Sequence, residues 1–156
     1  MIFPRALSAR RLRRFLRGRM SVSRLLRLRT ADRESCLHLA HALLHRDRID
    51  DARRLYELAK VLWPERVEPY LGRGVCLQLA GEWEAADLEF TRALEIDPDH
   101  PHALADRAEV RILMGRLDSA RTDLDRISPT LGDDGDSRLL AARIDELRSA
   151  LDTPGE

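Results

Sequence analysis

Apolar residues from position 33 onward recur at helical spacing in six successive stretches separated by short polar breaks. No run alternates between β-branched and polar residues in the manner of a strand. A seventh stretch follows the polar segment 128–136 and predicts a helix over 137–151, with one face formed by Leu139, Leu140, Ile144, Leu147 and Leu151. The pattern therefore predicts an all-α protein, whose first six helices lie at about 33–46, 49–62, 67–80, 83–96, 101–114 and 117–127.

A shift of 34 residues superposes this pattern on itself. Small residues recur at the eighth position of each period, namely Ala40, Gly74 and Ala108. Alanine recurs at the twentieth position, as Ala52, Ala86 and Ala120. Small side chains at matched positions let two helices approach closely. Larger residues at the twenty-fourth position are expected to fill the space above them, namely Tyr56, Phe90 and Leu124.

The breaks between helices repeat as well. The fifteenth position holds Asp47, Gly81 and Gly115, and the two glycines can adopt the positive φ that ends a helix. Pro64 and Pro98 occupy the thirty-second position, where proline stops the second helix of a period. Each period is therefore expected to be one antiparallel helix pair.

A helical period of 34 residues resembles the tetratricopeptide repeat. The resemblance implies a right-handed α-solenoid of three tetratricopeptide helix pairs plus a C-terminal capping helix. The repeats would span about 33–66, 67–100 and 101–134 within a domain over 32–151, with a frayed tail at 152–156. Arginine replaces the usual apolar residue at Arg73, Arg107 and Arg111, and we expect each stem to cover apolar surface while its charged head reaches solvent.

In such a solenoid the first helix of each pair lines the concave side. The inward positions predict a peptide-binding groove formed by Glu34, Leu37, His38, His41, Leu44, His45, Glu68, Leu71, Val75, Gln78, Leu79, His102, Glu109 and Ile112. Gly72 and Asp106 occupy inward positions too. The half-aliphatic lining suits an extended peptide with apolar anchors, and Leu71 and Val75 are expected to lie outside the core.

Two other uses of this groove fit less well. Some tetratricopeptide proteins clamp the acidic tails of heat-shock chaperones with Lys, Arg and Asn, but the matching positions here carry other residues, and Asp106 and Glu109 would repel a carboxylate. His38, His41 and His45 share one helical face, which would suit a metal or pH-sensing site. No carboxylate or thiol obviously completes a ligand set, so we predict no metal and no cofactor.

The stretch "YLGRGVCLQLAGEWEAA" (70–86) is more specific. Its spacing of Gly72, Gly74, Cys76, Gly81 and Trp83 resembles the middle repeat of the chaperones for type III secretion translocators. That resemblance covers roughly 33–151 and implies three repeats, a closing helix, a groove for a segment of a translocator protein, and N-terminal helices that often pair two subunits.

Charge divides the chain into two parts. Residues 1–31 hold ten arginines and no acidic residue, which leaves 17 basic against 27 acidic residues elsewhere. This basic arm would suit an anionic membrane surface, nucleic acid, or an organelle transit peptide. Nucleic acid is disfavoured because the arginine-rich stretch 5–29 contains a single aromatic residue, Phe15, that could stack on a base. Translation from Met20 would remove most of the arm, and we expect 1–19 to be dispensable for folding.

Aromatic residues make up 4% of the chain, so any core must be aliphatic. Cys36 and Cys76 lie in separate helical stretches without an activating context, so we predict no enzyme. The sequence thus predicts a cytoplasmic protein-binding module, most concretely a small chaperone for a secreted client, with homodimerisation left open. The alternative is a scaffold that its arm directs to a membrane or an organelle.

Overall fold

The structure is a computed structural model that describes residues 30–127 and 135–152. Almost all of the predicted basic arm, residues 128–134 of the loop predicted at 128–136, and the last four residues lie outside these ranges. The division of the chain into arm, repeat domain and tail therefore remains a prediction.

Seven helices and no strands make up the described residues. They are α1 (Thr30–Leu44), α2 (Ile49–Leu62), α3 (Glu68–Leu79), α4 (Trp83–Ile96), α5 (Pro101–Leu113), α6 (Leu117–Arg126) and α7 (Gly135–Asp152).

Each helix packs against the next from α1 to α6, which builds three helix pairs. The first helices of the pairs also touch one another, α1 against α3 and α3 against α5, so they lie side by side along one face. Helix α7 packs on both α5 and α6 and closes the C-terminal end. This is the predicted all-α solenoid of three pairs plus a closing helix.

The small residues of the repeat lie where helices meet. The alanines at the eighth and twentieth positions are all fully buried. At Gly74 a Cβ atom would come within 2.4 Å of the Phe90 ring, so the aromatic residue of the second pair packs directly on the glycine. Such packing needs a residue without a side chain at this position.

Three turns of identical geometry join the helices within the pairs. Asp47, Gly81 and Gly115 have φ angles of 59°, 75° and 72°. In each turn the following N–H donates to a carbonyl five residues earlier, as from Glu82 to Leu77 at 2.9 Å. This is the hydrogen-bonded helix ending that a left-handed residue permits. The expected positive φ of the two glycines is confirmed, and Asp47 adopts it as well.

The observed helix ends differ from the predicted ones by up to three residues. Helix α1 begins at Thr30 rather than 33, and it ends at Leu44 because residues 45–47 form the turn. Helix α7 begins at Gly135, so residues 135 and 136 belong to the helix and not to the loop. Asp136 lies in its first turn, where the helix dipole favours a negative charge.

The expectation that the arginine heads reach solvent is wrong for Arg107, whose exposure is 9%. Its Nε and Nη2 donate to the two carboxylate oxygens of Asp123 at 2.9 and 2.6 Å, and Arg111 Nη1 donates to the same carboxylate at 2.8 Å. In the preceding pair, Arg73 and Glu89 are bonded at the same spacing of 16 residues. These arginines therefore form ion pairs between helices of the solenoid, because each faces an acidic residue of the second helix.

Candidate peptide-binding groove

A cavity of about 540 Å³ opens on the face formed by α1 and α3. Most of its lining comes from these two helices: Arg33, Glu34, Leu37, His38, His41, Leu44, Tyr56, Glu68, Leu71, Gly72 and Val75. We call this the α1–α3 cavity. Its walls are aliphatic, and charged and imidazole groups also contribute to its lining.

The cavity brings together much of the predicted groove. It contains every predicted residue of the first repeat except His45, and Glu68, Leu71 and Val75 of the second. His45 instead packs edge to face on His41, with ring centroids 4.4 Å apart. Gln78 and Leu79 do not line the cavity, and Leu79 is 59% exposed at the end of α3. Contact of any of these residues with a ligand remains a prediction.

The third repeat presents a different surface. Helix α7 packs on α5, and its buried residues Leu140, Ile144 and Leu151 share a core cluster with residues of α5 and α6. The predicted groove residue Ile112 packs against this cluster, and Glu109 accepts a hydrogen bond from Arg143 of α7. His102 is exposed. The sequence pattern did not reveal that the closing helix would occupy this part of the concave side.

Arg143 also changes the electrostatics expected near Asp106. Its Nη1 donates to Asp106 Oδ1 at 2.7 Å, so the two acidic residues predicted to repel a carboxylate share a cation. Burial raises the pKa of the Asp106 carboxyl above its ordinary value, although Arg143 acts in the opposite direction. The negative charge at this end therefore binds α7 and does not face an open groove.

Tyr56 is a cavity residue that the groove prediction missed, because it belongs to a second helix. Its ring is 4% exposed and crosses to the concave side next to Gly72, where a Cβ atom would lie 2.2 Å from the ring carbons Cε1 and Cζ. Burial, with smaller effects of Cys76 and Cys36, raises the pKa of Tyr56 to about 12. The sequence carried one indication of this contact: Gly72 occupies an inward position of the helix that follows the helix of Tyr56.

The aliphatic walls of the cavity are half-buried and pack against the core. Leu71 contacts two of the three core clusters, and Val75 contacts one of them. Our expectation that both lie outside the core is therefore only partly right. A charged substitution at Leu71 would disturb folding as well as the cavity.

The carboxylates at the cavity are paired. Glu68 is bonded to Arg66, and Arg33 lies 4.0 Å from Glu34. Partial burial is the largest single effect and acts to raise the pKa of Glu68, but the hydrogen bonds from Arg66 and from the backbone, together with the charges of Arg66 and Arg33, outweigh it and hold the pKa below its usual value. The cavity therefore combines aliphatic walls with charges that already have partners.

No group of three or more His, Cys, Asp or Glu side chains within the described ranges is placed to hold a metal ion. Both thiols are poor nucleophiles, because burial raises the pKa of Cys76 to about 11 and that of Cys36 above its ordinary value. In the same residues, no helix is both long enough and apolar enough to cross a membrane.

A family model described as tetratricopeptide repeat matches residues 77–144. The fold is a tetratricopeptide solenoid. A curated relative, the UDP-N-acetylglucosamine–peptide N-acetylglucosaminyltransferase of Giardia intestinalis, is 30% identical over 82 residues. That alignment covers 53% of this chain but only 6% of the relative.

Several solved structures share the fold over most of both chains. The type III secretion translocator chaperone SycD of Yersinia enterocolitica matches with a TM-score of 0.76 at 20% identity, covering 84% of this chain and 98% of its own. A type III secretion system complex from Aeromonas hydrophila gives 0.78 at 21% identity, covering 90% and 93%. PcrH of Pseudomonas aeruginosa, in complex with the chaperone binding region of PopD, gives 0.71 at 22% identity, covering 80% and 93%. At these identities the likeness is one of fold, and it confirms the predicted resemblance to the translocator chaperones.

Proposed function

We propose that this chain binds an extended segment of a client protein in the α1–α3 cavity and acts as a small cytoplasmic chaperone or adaptor for a secreted protein. The observation that carries the proposal is the cavity itself. Its volume of about 540 Å³ falls in the range of about 300–1,000 Å³ typical of ligand sites.

The lining favours a peptide with aliphatic anchors. Leu37, Leu44, Leu71 and Val75 offer apolar surface that gains free energy when a client side chain displaces water. An extended segment can place alternate side chains into such a site, and its main chain supplies hydrogen-bonding groups.

The solved relatives support this use of the fold. PcrH was solved with the chaperone binding region of PopD, and SycD with a peptide of the translocator YopD. We extend that kind of partner to this chain as a proposal, because the shared fold does not by itself transfer a ligand. A homodimer is compatible with the proposal, since an alternative dimer of SycD has been described.

We propose binding, not catalysis, as the activity. The fold is that of protein-interaction modules, and the raised pKa values of Cys36 and Cys76 leave few thiolates at neutral pH. The match to a transferase covers 6% of that enzyme and carries no argument for its chemistry. The comparisons do not support the alternative of an arm-targeted membrane or organelle scaffold, and the arm itself lies outside the described residues.

A paired substitution tests the proposal. Val75→Asp places a charge on the cavity wall, whereas Leu79→Asp places the same charge on the same helix outside the cavity. Tagged wild-type and variant chains are used to capture partners from native lysate, and the client segment is then measured by calorimetry. We expect Val75→Asp to weaken the client by about 2–4 kcal/mol, as removal of a central anchor does, and Leu79→Asp to bind normally.

Circular dichroism and a melt establish that both variants fold. A folded Val75→Asp chain that keeps wild-type affinity would show that partners use another surface. Equal losses in both variants would point to a general charge effect and not to the cavity.

A further inference from the structure

The hydroxyl of Tyr56 has no hydrogen-bond partner among the described residues of the protein. The residue is only 4% exposed and lines the α1–α3 cavity, but its hydroxyl oxygen is not among the fully enclosed side-chain atoms, so solvent can reach it. A hydroxyl at the wall of a mostly apolar cavity can bond to water, and a ligand acceptor that enters the cavity can replace that water.

The hydroxyl of the other tyrosine of the chain, in contrast, has a protein partner. Tyr70 also lies at the edge of the core, and its hydroxyl donates to the Pro64 carbonyl at 3.1 Å. The chain has two tyrosines, so the two hydroxyls form a natural pair for comparison.

Packing does not explain why residue 56 is tyrosine and not phenylalanine. Phe90 occupies the same repeat position and fills the core as a plain ring, fully buried. Gly72 lies one helix beyond Tyr56 and leaves room for its ring tip, whereas the equivalent place beyond Phe90 holds Asp106. The glycine and the hydroxyl therefore belong together as a feature of the cavity.

The surroundings of the hydroxyl define what would bind it. Leu37, Leu44 and Val75 are apolar, and the carboxylate of Glu68 is already bonded to Arg66. Glu34 lies beside Arg33 in the same lining, so the cavity offers no unpaired charge to an ionic ligand, and a neutral ligand loses less hydration on entering. A main-chain carbonyl is neutral, accepts a hydrogen bond and lies next to a side chain, so it fits this combination.

We propose that Tyr56 is a specificity-determining residue of the cavity, whose hydroxyl donates a hydrogen bond to a main-chain carbonyl of an extended client segment while an adjacent aliphatic side chain packs on Leu37, Leu71 and Val75. This inference rests on the proposed function and adds the chemistry of the contact. The hydroxyl retains its proton at neutral pH and is therefore available as a donor.

The experiment uses the full chain labelled with ¹³Cζ-tyrosine and the probe N-acetyl-leucine-N-methylamide, which mimics one residue of an extended leucine-containing segment. Two tyrosines give two NMR signals, and the Tyr70→Phe variant assigns them. We expect the Tyr56 signal to shift saturably with the probe and the Tyr70 signal to stay in place. Tyr56→Phe should weaken the probe about three- to tenfold, as loss of one hydrogen bond does.

Tyr70→Phe is the matched control, because it removes a hydroxyl that already has a partner outside the cavity. It should lower the melting temperature slightly and leave probe affinity unchanged. Tyr56→Phe should leave the melting temperature nearly unchanged, since it removes a hydroxyl that has no protein partner and that solvent can reach. A loss of affinity without a loss of stability is not expected from a merely structural tyrosine.

Two outcomes would overturn the inference: a Tyr56 signal that does not respond to the probe, or a Tyr56→Phe chain with wild-type affinity. Val75→Asp separates this failure from failure of the proposed function. If Val75→Asp abolishes probe binding while Tyr56→Phe does not alter it, the cavity still binds segments but Tyr56 does not select them. If neither substitution alters probe binding, both proposals are wrong.

Discussion

The two ends of the concave side are built from the same repeat but differ in accessibility. At the first and second repeats, α1 and α3 border an open cavity of about 540 Å³. At the third repeat, α7 lies against α5, and Leu140 and Ile144 complete the core there. We call these the open end and the closed end.

The difference shows that a repeat position alone does not define a binding surface. The closed end has alanines at positions 103, 105 and 108, which leave room for the side chains of α7, and Arg143 neutralises the adjacent acidic residues. The open end instead has Leu71 and the ring of Tyr56, with no described helix over them. What covers an inward residue therefore decides its role.

The largest expected effect contrasts a core residue of the closed end with a half-buried cavity residue of the open end. Ile144→Ala at the closed end should lower the free energy of unfolding by about 2–4 kcal/mol, because the side chain is 3% exposed and its loss leaves a void. Leu37→Ala at the open end should cost about 1 kcal/mol, since that residue is half-buried and already borders solvent. Denaturant unfolding measures both. Equal costs would mean that the open end is covered in solution.

Arg143 is expected to hold the closed end through its ion pairs. Arg143→Met should cost about 1–3 kcal/mol, because Asp106 stays buried without its cation. Adding Asp106→Asn should recover part of the loss, since it removes the stranded charge. The double-mutant cycle gives the coupling between the two residues, and a coupling of zero would show that α7 docks without them.

The turn of the first pair offers a smaller gain. Asp47 adopts φ 59° where the other two pairs have glycine, and a side chain is strained in that conformation. Asp47→Gly should stabilise the open end by about 0.5–1 kcal/mol. Gly115→Ala makes the opposite kind of change in the third pair, because it places a side chain on a residue with φ 72°. It should destabilise the closed end by a similar amount. Denaturant unfolding of both variants measures these changes. A destabilised Asp47→Gly chain would mean that the Asp47 carboxylate itself stabilises the turn.

The smallest expected effect is a dependence of stability on pH, which again differs between the two ends. His100 caps α5 by accepting from the Ala103 N–H at 3.3 Å, whereas α3 has no side-chain cap. Burial lowers the pKa of His100, so the unfolded chain takes up a proton first as the pH falls below about 6.5. The contribution of neutral His100 to the free energy of unfolding is therefore complete above about pH 6.5, the pKa of the unfolded chain. It is lost as the pH falls from there towards the lower pKa of the folded chain.

His100→Asn retains a capping acceptor but cannot titrate. We expect its stability at about pH 7.5 to match the wild type within about 0.5 kcal/mol, and its loss of stability on acidification to be smaller. Thermal melts at neutral and acidic pH measure the difference. A variant that loses as much stability in acid as the wild type would show that other groups dominate the response.

The sequence by itself determined the architecture. The 34-residue period, the alanines at matched positions and the glycines at 81 and 115 predicted three helix pairs, because helix spacing and turn conformation depend on residues close together in the chain. It also determined most residues of the open cavity, since inward positions recur with the repeat.

Only the tertiary structure decided which groove residues are accessible. The burial of Arg107 against Asp123, the contact of Arg143 with Asp106 and the arrival of Tyr56 beside Gly72 each join helices from different parts of the chain. The period specifies which face of a helix is apolar, but not which side chain of another helix will meet it. Contacts between side chains of different helices depend on packing in three dimensions. Here the closing helix α7 covers one end of the groove and leaves the other end open.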